Sequence, residues 1–540
     1  MSERQRLGVQ DALWLEMDRP TNLMVVDSLI WTATPVDWKR FGAVVQERMW
    51  DRYQVFRSVA VADEDGSWFW EERPRLGWRK HLERITLPAP ADEAALREFI
   101  GAQRIVPLDR KRPLWKMFLI EDYMGGSAIV VRTHHAIADG IRMVQLAMSL
   151  FDASPEGGAI LAPPVRLHAA SAEAPEPEGR SVREQLTAGA VSVARELNEL
   201  ASDAVGRVGE VIGDPIGSTV EGVRAAGRAV GHAAAEAREA SREVAGMALT
   251  NPVGAVHTAA ARSAAAAAAF AEWLTSALRP RIPGSGPLVD MFSAAPGDAD
   301  IARKLLLGTR NDASIWTGMV GDRKAVAWSP PLPLAEVKAV ARTHGATVND
   351  VLVTSVAGTL HAYLEAHEAQ CSSVNWMIPV NLKALDTTLP TELGNSFAIV
   401  QLELPTDIGD PLVVLDVVQR RMARIKSGHE AGIAFRIQEV ISGLNKSLYQ
   451  ASVDLLANRA IGVLTNVPGP PIPVFVAGTK VEGMVGWAPL SGNQPMCFTI
   501  YSYNNMVFVG IACDMDLVPD HEQIVDGFAP AFHRLSVATH

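Results

Sequence analysis

The apolar period of this chain switches repeatedly between two and about 3.6, and it does so on both sides of an alanine-rich segment. A chain with that pattern must build mixed sheets covered by helices. Before the segment, Leu23 to Trp31, Ser67 to Glu71, Trp115 to Ile120 and Ala128 to Thr133 read as strands. Trp38 to Arg52, Asp92 to Ile105 and Ile141 to Leu150 read as helices. After it, Lys324 to Trp328, Val374 to Ile378 (broken at Pro379) and Phe397 to Leu404 are strands. Leu334 to Thr343, a helix capped by Thr347, Leu412 to Ile425 and a single closing helix from His521 to Leu535 complete the alternation. Asn504-Asn505 tolerates positive φ and predicts a β-hairpin between Pro495–Tyr503 and Met506–Ala512.

Between the halves, Pro163 to Pro177 has linker composition. From Ser181 to Leu278 small apolar residues recur every three or four positions, Val182 to Val211 most clearly, and Ser263 to Phe270 is nearly all alanine. Three readings fit this segment: a helical hairpin packed on the protein, an amphipathic surface that lies on lipid, and a flexible insertion. The expected division is therefore 1–165, 166–290 and 291–540.

The run Val131-Arg-Thr-His-His-Ala-Ile-Ala-Asp-Gly140 joins a strand to a helix. It holds two imidazoles, an acid and a glycine in one short loop, and a rigid strand end is a good mount for a catalytic ring. A neutral imidazole accepts protons near neutral pH. Acyl transfer to an alcohol needs such an acceptor, because a hydroxyl attacks only as its proton leaves. His135 is the candidate base. His134 would fix the loop, Asp139 would fold back to orient it through a basic partner, and Gly140 would allow close backbone approach. A loop with a satisfied ion pair is the alternative.

The 540 residues carry a formal net charge of −11, so a nucleic-acid role is disfavoured. Cys371, Cys497 and Cys513 form no C-x-x-C pair, which disfavours a structural zinc or a disulfide framework and fits a reducing cytosol. The charged start Met1 to Arg6 predicts no secretory signal, and no apolar run reaches spanning length. Arg110-Lys-Arg112 with Lys116, and Arg420, Arg421, Arg424 and Lys426, are basic clusters able to meet phosphates or to be ordinary surface charge. His361 and His367 near Glu365 lack a metal-binding spacing and read as a polar helix face.

Taken in order, Gln10 to Met17 with Arg19-Pro-Thr-Asn-Leu-Met24, Pro113-Leu-Trp115, the histidine motif, Asn349-Asp350, Pro379-Val-Asn-Leu-Lys383, Leu393-Gly-Asn-Ser-Phe397 and Thr465-Asn-Val-Pro-Gly-Pro470 resemble the bacterial wax ester synthase/diacylglycerol acyltransferase family. The resemblance covers about 4–165 and 290–538. It departs at Asn381 and Lys383, where the family shows P-V-S-x-R; lysine lacks the bidentate fork of arginine. The resemblance implies an α/β, two-lobed chloramphenicol-acetyltransferase-like (CoA-dependent acyltransferase) fold, with the alanine-rich helical segment inserted and a tunnel between the lobes. It implies transfer from long-chain acyl-CoA, as co-substrate with no other cofactor, to diacylglycerol or a long-chain fatty alcohol. It also implies a cytoplasmic enzyme, peripheral on membrane or lipid droplet. Asn349, Thr465 and Asn466 become candidate donors to the oxyanion and substrate, with Asn349 and Asp350 alternatively capping a helix, and Gly394-Asn395 shapes a turn near the channel. A condensation-type enzyme using a carrier-protein thioester, and a non-catalytic lipid-droplet protein, are the competing readings.

Overall fold

In the first half the chain forms β1 (Arg4–Arg6), α1 (Val9–Met17), β2 (Val25–Thr32), α2 (Trp38–Val45), β3 (Ser58–Ala62), β4 (Trp68–Glu72), β5 (Leu82–Thr86), α3 (Glu93–Gln103), β6 (Trp115–Tyr123), β7 (Gly126–His134) and α4 (Gly140–Ser149). The second half forms β8 (Lys324–Trp328), β9 (Leu332–Pro333), α5 (Leu334–Thr343), α6 (Val348–Ala366), β10 (Ser373–Asn381), β11 (Phe397–Pro405) and α7 (Pro411–Ser427). It continues with β12 (Gly462–Pro468), β13 (Phe475–Val476), β14 (Thr479–Trp487), β15 (Met496–Tyr503), β16 (Met506–Asp514), α8 (His521–Asp526) and α9 (Phe528–Ala538). This computed structural model describes residues 4–64, 66–158, 314–381, 395, 397–427 and 457–539. They belong to a unit formed by Met1–Ser171 and Ile301–His540. The alanine-rich stripe, Lys383 and Gly394 lie outside the described residues.

Two large sheets carry the architecture. One has the order β13-β14-β2-β7-β6-β5; the other runs β11-β10-β12-β15-β16-β8, with β9 also on β16. The central strands of the first sheet are apolar on both faces because both faces are covered. Along β2 and β7, Ile30 and Ile129 join one core with Phe41, Trp115 and Met484. Their neighbours Leu29 and Val130 face a second core with Phe118, Leu96, Trp328 and Trp487. In the second sheet, Val351, Leu352, Val356 and Leu360 of α6 pack on Trp376, Phe498 and Val509.

Four local departures from the sequence reading have physical causes. The helix from Trp38 ends at Val45 and widens into a π-type turn, Gln46–Trp50, which buries Met49 and Trp50. Strand β10 runs through Pro379 to Asn381. Its pairing with β12 stops at Met377, so Pro379 stands where a ladder N–H is expendable. The closing helix is two helices that meet at Gly527. Pro530, which has no N–H to give, fits in the first turn of the second one. Most consequential, β14 leaves the C-terminal region and pairs antiparallel with β2, Met484 opposite Ile30 and Trp487 opposite Asp27. Sheet membership therefore does not follow the 1–165 and 291–540 chain division.

Candidate active site

The end of β7 is fixed from both sides. Thr133 and His134 register with Val26 and Val25 on β2, and the N–H of His134 donates to the Leu114 carbonyl at 3.0 Å. Leu114 and Trp115 of the Pro113-Leu-Trp115 motif are fully buried, so that motif is the floor on which the histidine loop rests. Just upstream, buried Arg132 donates through Nε to Asp27 at 2.9 Å, and Arg104 reaches the other carboxylate oxygen at 2.7 Å. The apolar sequence around Arg132 gave no sign of this pair.

His134 is 1 % exposed. Its Nδ1 accepts from the Ala136 N–H at 3.1 Å, which leaves the proton on Nε2, 3.2 Å from Asp18 Oδ2. Burial lowers its pKa, outweighing the Asp18 contact that raises it. Asp18 Oδ1 accepts from the Met24 N–H, and its Oδ2 also meets Arg110 at 2.6 Å. This ring, with both nitrogens engaged, ties the loop to the end of α1.

His135 is 8 % exposed, and its N–H donates to the Met24 carbonyl at 2.8 Å. Trp14 stacks on the ring with centroids 4.0 Å apart. The ring Nδ1 lies 3.0 Å from Asn395 Oδ1. The Asn395 Nδ2 donates to the His135 carbonyl at 2.9 Å and to Asp11 Oδ1 at 2.7 Å, and the Asn395 N–H donates to the same Asp11 oxygen at 2.9 Å. Both Nδ2 partners can only accept if Asp11 is ionised, so the amide oxygen must face the ring and Nδ1 must carry the proton. Nε2 then holds the lone pair. Burial pushes the His135 pKa down to about 4, so the ring is neutral at physiological pH.

Asp139 caps α4: its Oδ1 accepts from the Arg142 N–H at 2.9 Å. This cap is one of the contacts that hold Asp139 in the loop. Gly140 opens that helix, and among the described residues a Cβ there meets nothing within 4 Å. Asn349 and Asn466 meet each other at 3.0 Å, Nδ2 of Asn466 donating. Thr465 is half-buried on β12, opposite Thr499. Asp350 closes a reciprocal capping box with Thr347. His361 turns to the Thr406 carbonyl and His367 to Asp520, so the two do not converge. The basic clusters are largely engaged by the protein's own acids: Arg110 with Asp18, Arg112 with Asp109, Lys116 with Glu83, Arg420 with Asp416 and Arg421 with Glu403.

The family model for the wax ester synthase/diacylglycerol acyltransferase catalytic domain matches residues 7–272, and that for the corresponding C-terminal domain matches 393–536. The chain belongs to this family. A probable diacylglycerol O-acyltransferase of Mycobacterium tuberculosis is 23 % identical, over 86 % of this chain and 81 % of its own length. A second putative diacylglycerol O-acyltransferase of that organism is 25 % identical, over 98 % and 90 %. Among solved structures, the wax ester synthase/diacylglycerol acyltransferase of Marinobacter aquaeolei VT8 aligns with a TM-score of 0.59 at 17 % identity, covering 99 % of both chains. The first condensation domain of the calcium-dependent antibiotic synthetase gives 0.52 at 13 %, covering 99 % of this chain and 96 % of that one. The two-lobed α/β fold is thus shared with both. Asp11, Trp14, Asp18 and Asn395 are the site residues that the histidine motif did not reveal. The first three stand at i, i+3 and i+7 on α1 and its cap, a helical stripe that was legible but had no visible partner.

Proposed function

We propose that His135 is the general base of acyl transfer in this chain. The reaction is that of the family: an acyl group passes from acyl-CoA to an alcohol, giving triacylglycerol from diacylglycerol and a wax ester from a fatty alcohol. In the proposed step, His135 Nε2 takes the hydroxyl proton as that oxygen attacks the thioester carbonyl. The C–O bond forms, the C–S bond breaks, and the same proton passes to the departing thiolate, releasing free coenzyme A. The imidazolium that forms transiently is offset by the oxyanion created beside it. Thr465, Asn466 and Asn349 are proposed as donors toward that oxyanion and the substrate, with Gly140 leaving room where the acyl donor passes. His134 and Asp139 hold the loop and do not touch protons in transit.

The observation that carries this reading is the contact of His135 Nδ1 with Asn395 Oδ1, which leaves the lone pair on Nε2. Substrates of this class are lipids, and no helix among the described residues is long and apolar enough to cross a membrane. Peripheral placement on a membrane or lipid droplet belongs to the same proposal. The test is thiol release from palmitoyl-CoA, with and without dioleoylglycerol or hexadecanol, followed by product analysis with both acceptors in competition. His135→Ala is expected to lower acceptor-dependent release by roughly 10²–10⁴-fold with the fold retained. Wild-type turnover in that variant would remove His135 from the chemistry. Transfer from a loaded carrier protein but not from acyl-CoA would move the chain to the condensation-type reading.

A further inference from the structure

We propose that Asp11 is a positioning residue for the acyl transfer: through Asn395 it dictates which nitrogen of His135 carries the proton. The inference rests on the His135 reading above and extends it to residues that touch no substrate.

The argument begins with the ambiguity of an amide. An asparagine can present either its oxygen or its NH₂ to a neighbouring imidazole, and the ring answers with the opposite tautomer. Oxygen toward Nδ1 selects Nδ1–H and a basic Nε2. Nitrogen toward Nδ1 selects Nε2–H, a ring with no lone pair where the hydroxyl proton must be received. Asn395 is held to the first state by Asp11 Oδ1, which accepts from both its side-chain Nδ2 (2.7 Å) and its backbone N–H (2.9 Å). Flipping the amide would bring its oxygen against a carboxylate oxygen and the His135 carbonyl, two acceptors at hydrogen-bond distance.

The carboxylate is itself built into place. It is 9 % exposed, a strained setting for a charge unless the charge has work to do. Gly8 makes the room: a Cβ at that position would stand 2.9 Å from Asp11 Oδ2. One turn along α1, Trp14 covers the face of the same imidazole, so a single helix face supplies both the ring's lid and the acid that sets its amide neighbour. The acid, amide and imidazole come from three chain regions that meet at one point. Outer-shell groups of this kind orient a functional ring without joining the reaction.

The experiment reads the tautomer directly. Full-length chain labelled with ¹⁵N-histidine is examined by long-range ¹H–¹⁵N correlation at pH 7.5, with His135 assigned by the signals lost in His135→Gln. Wild type is expected to show the Nδ1–H pattern. Asp11→Ala is expected to shift His135 toward Nε2–H and to lower kcat by about 10–100-fold, with KM for palmitoyl-CoA unchanged. Asp11→Asn retains the accepting oxygen and is expected to restore both the tautomer and most of kcat. An Asp11→Ala protein that keeps Nδ1–H and full kcat overturns the proposal. Should the alanine variant not fold, Asp11→Asn decides alone: loss of the Nδ1–H pattern there refutes the acceptor role, and its retention supports it. Failure of the base reading looks different, since His135→Gln would then still turn over whatever Asp11 does to the tautomer.

Discussion

At the scale of residues, the site couples two groups whose proton affinities are displaced in opposite directions. Burial takes His135 down to about 4, and burial takes Asp11 up to about 6. The activity profile should reflect the first. A solvated imidazole would cut kcat/KM near its ordinary value of about 6.5. Here the acid limb is expected near pH 4, with a plateau above it; a limb near 6.5 would mean that the ring is wetter than the structure shows. Stability reflects both groups. The depressed histidine contributes stability that is present above about 6.5 and is lost as pH falls through about 4. The raised aspartate works the other way, its contribution present below 3.8 and lost as pH rises through about 6. Between about 4 and 6 the two therefore offset each other. Asp11→Asn removes the offset, so its stability should fall relative to wild type by up to about 1.4 kcal/mol per pH unit across that window. Thermal midpoints of both proteins at pH 7 and 4.5 measure the difference. Parallel midpoints would show that the Asp11 carboxyl is not displaced.

At the scale of elements, α1 explains why this loop needs a helix so far from it in sequence. Asp11, Trp14 and Asp18 stand at i, i+3 and i+7, one face of the helix, and respectively hold Asn395, the His135 ring and His134. The strand and helix around the histidines were legible because period and motif coincide there. Asn395 was legible only as a turn residue; its role depends on a contact 260 residues away in sequence, which no local pattern encodes. Asp139, drawn to the loop by its spacing from His135, also stands immediately before a helix, where an acid serves as an N-cap. Asp139→Ala is accordingly expected to destabilise the fold by about 0.5–2 kcal/mol, and Asp139→Asn, also a good cap, by little. Urea denaturation of the three proteins would measure this. An Asn variant as inactive as His135→Ala would return Asp139 to the reaction.

At the scale of the whole molecule, the two α/β halves were readable from periodicity, but the strand that crosses between them was not. β14 is buried at every residue from Gly483 to Trp487, as a strand covered on both faces is, and nothing in Thr479–Trp487 tells which sheet it joins. The answer lies in what β2 would otherwise lack. One edge of β2 is paired with β7, the strand that delivers the histidines; the other is paired with β14. Without β14, residues Val25–Thr32 would expose a row of unpaired backbone groups beside Leu29 and Ile30, a long apolar edge of the kind soluble proteins avoid. Val485 and Trp487 would also leave the core that Leu29 and Val130 share. A fragment ending at residue 165 thus carries the complete histidine motif on an incomplete sheet. It should show no cooperative thermal transition by circular dichroism and should self-associate, although every residue of its own strands is present. A sharp unfolding transition in a monomeric 1–165 fragment would mean that β14 decorates the first lobe; its absence would make the C-terminal region a structural part of the lobe that bears the base.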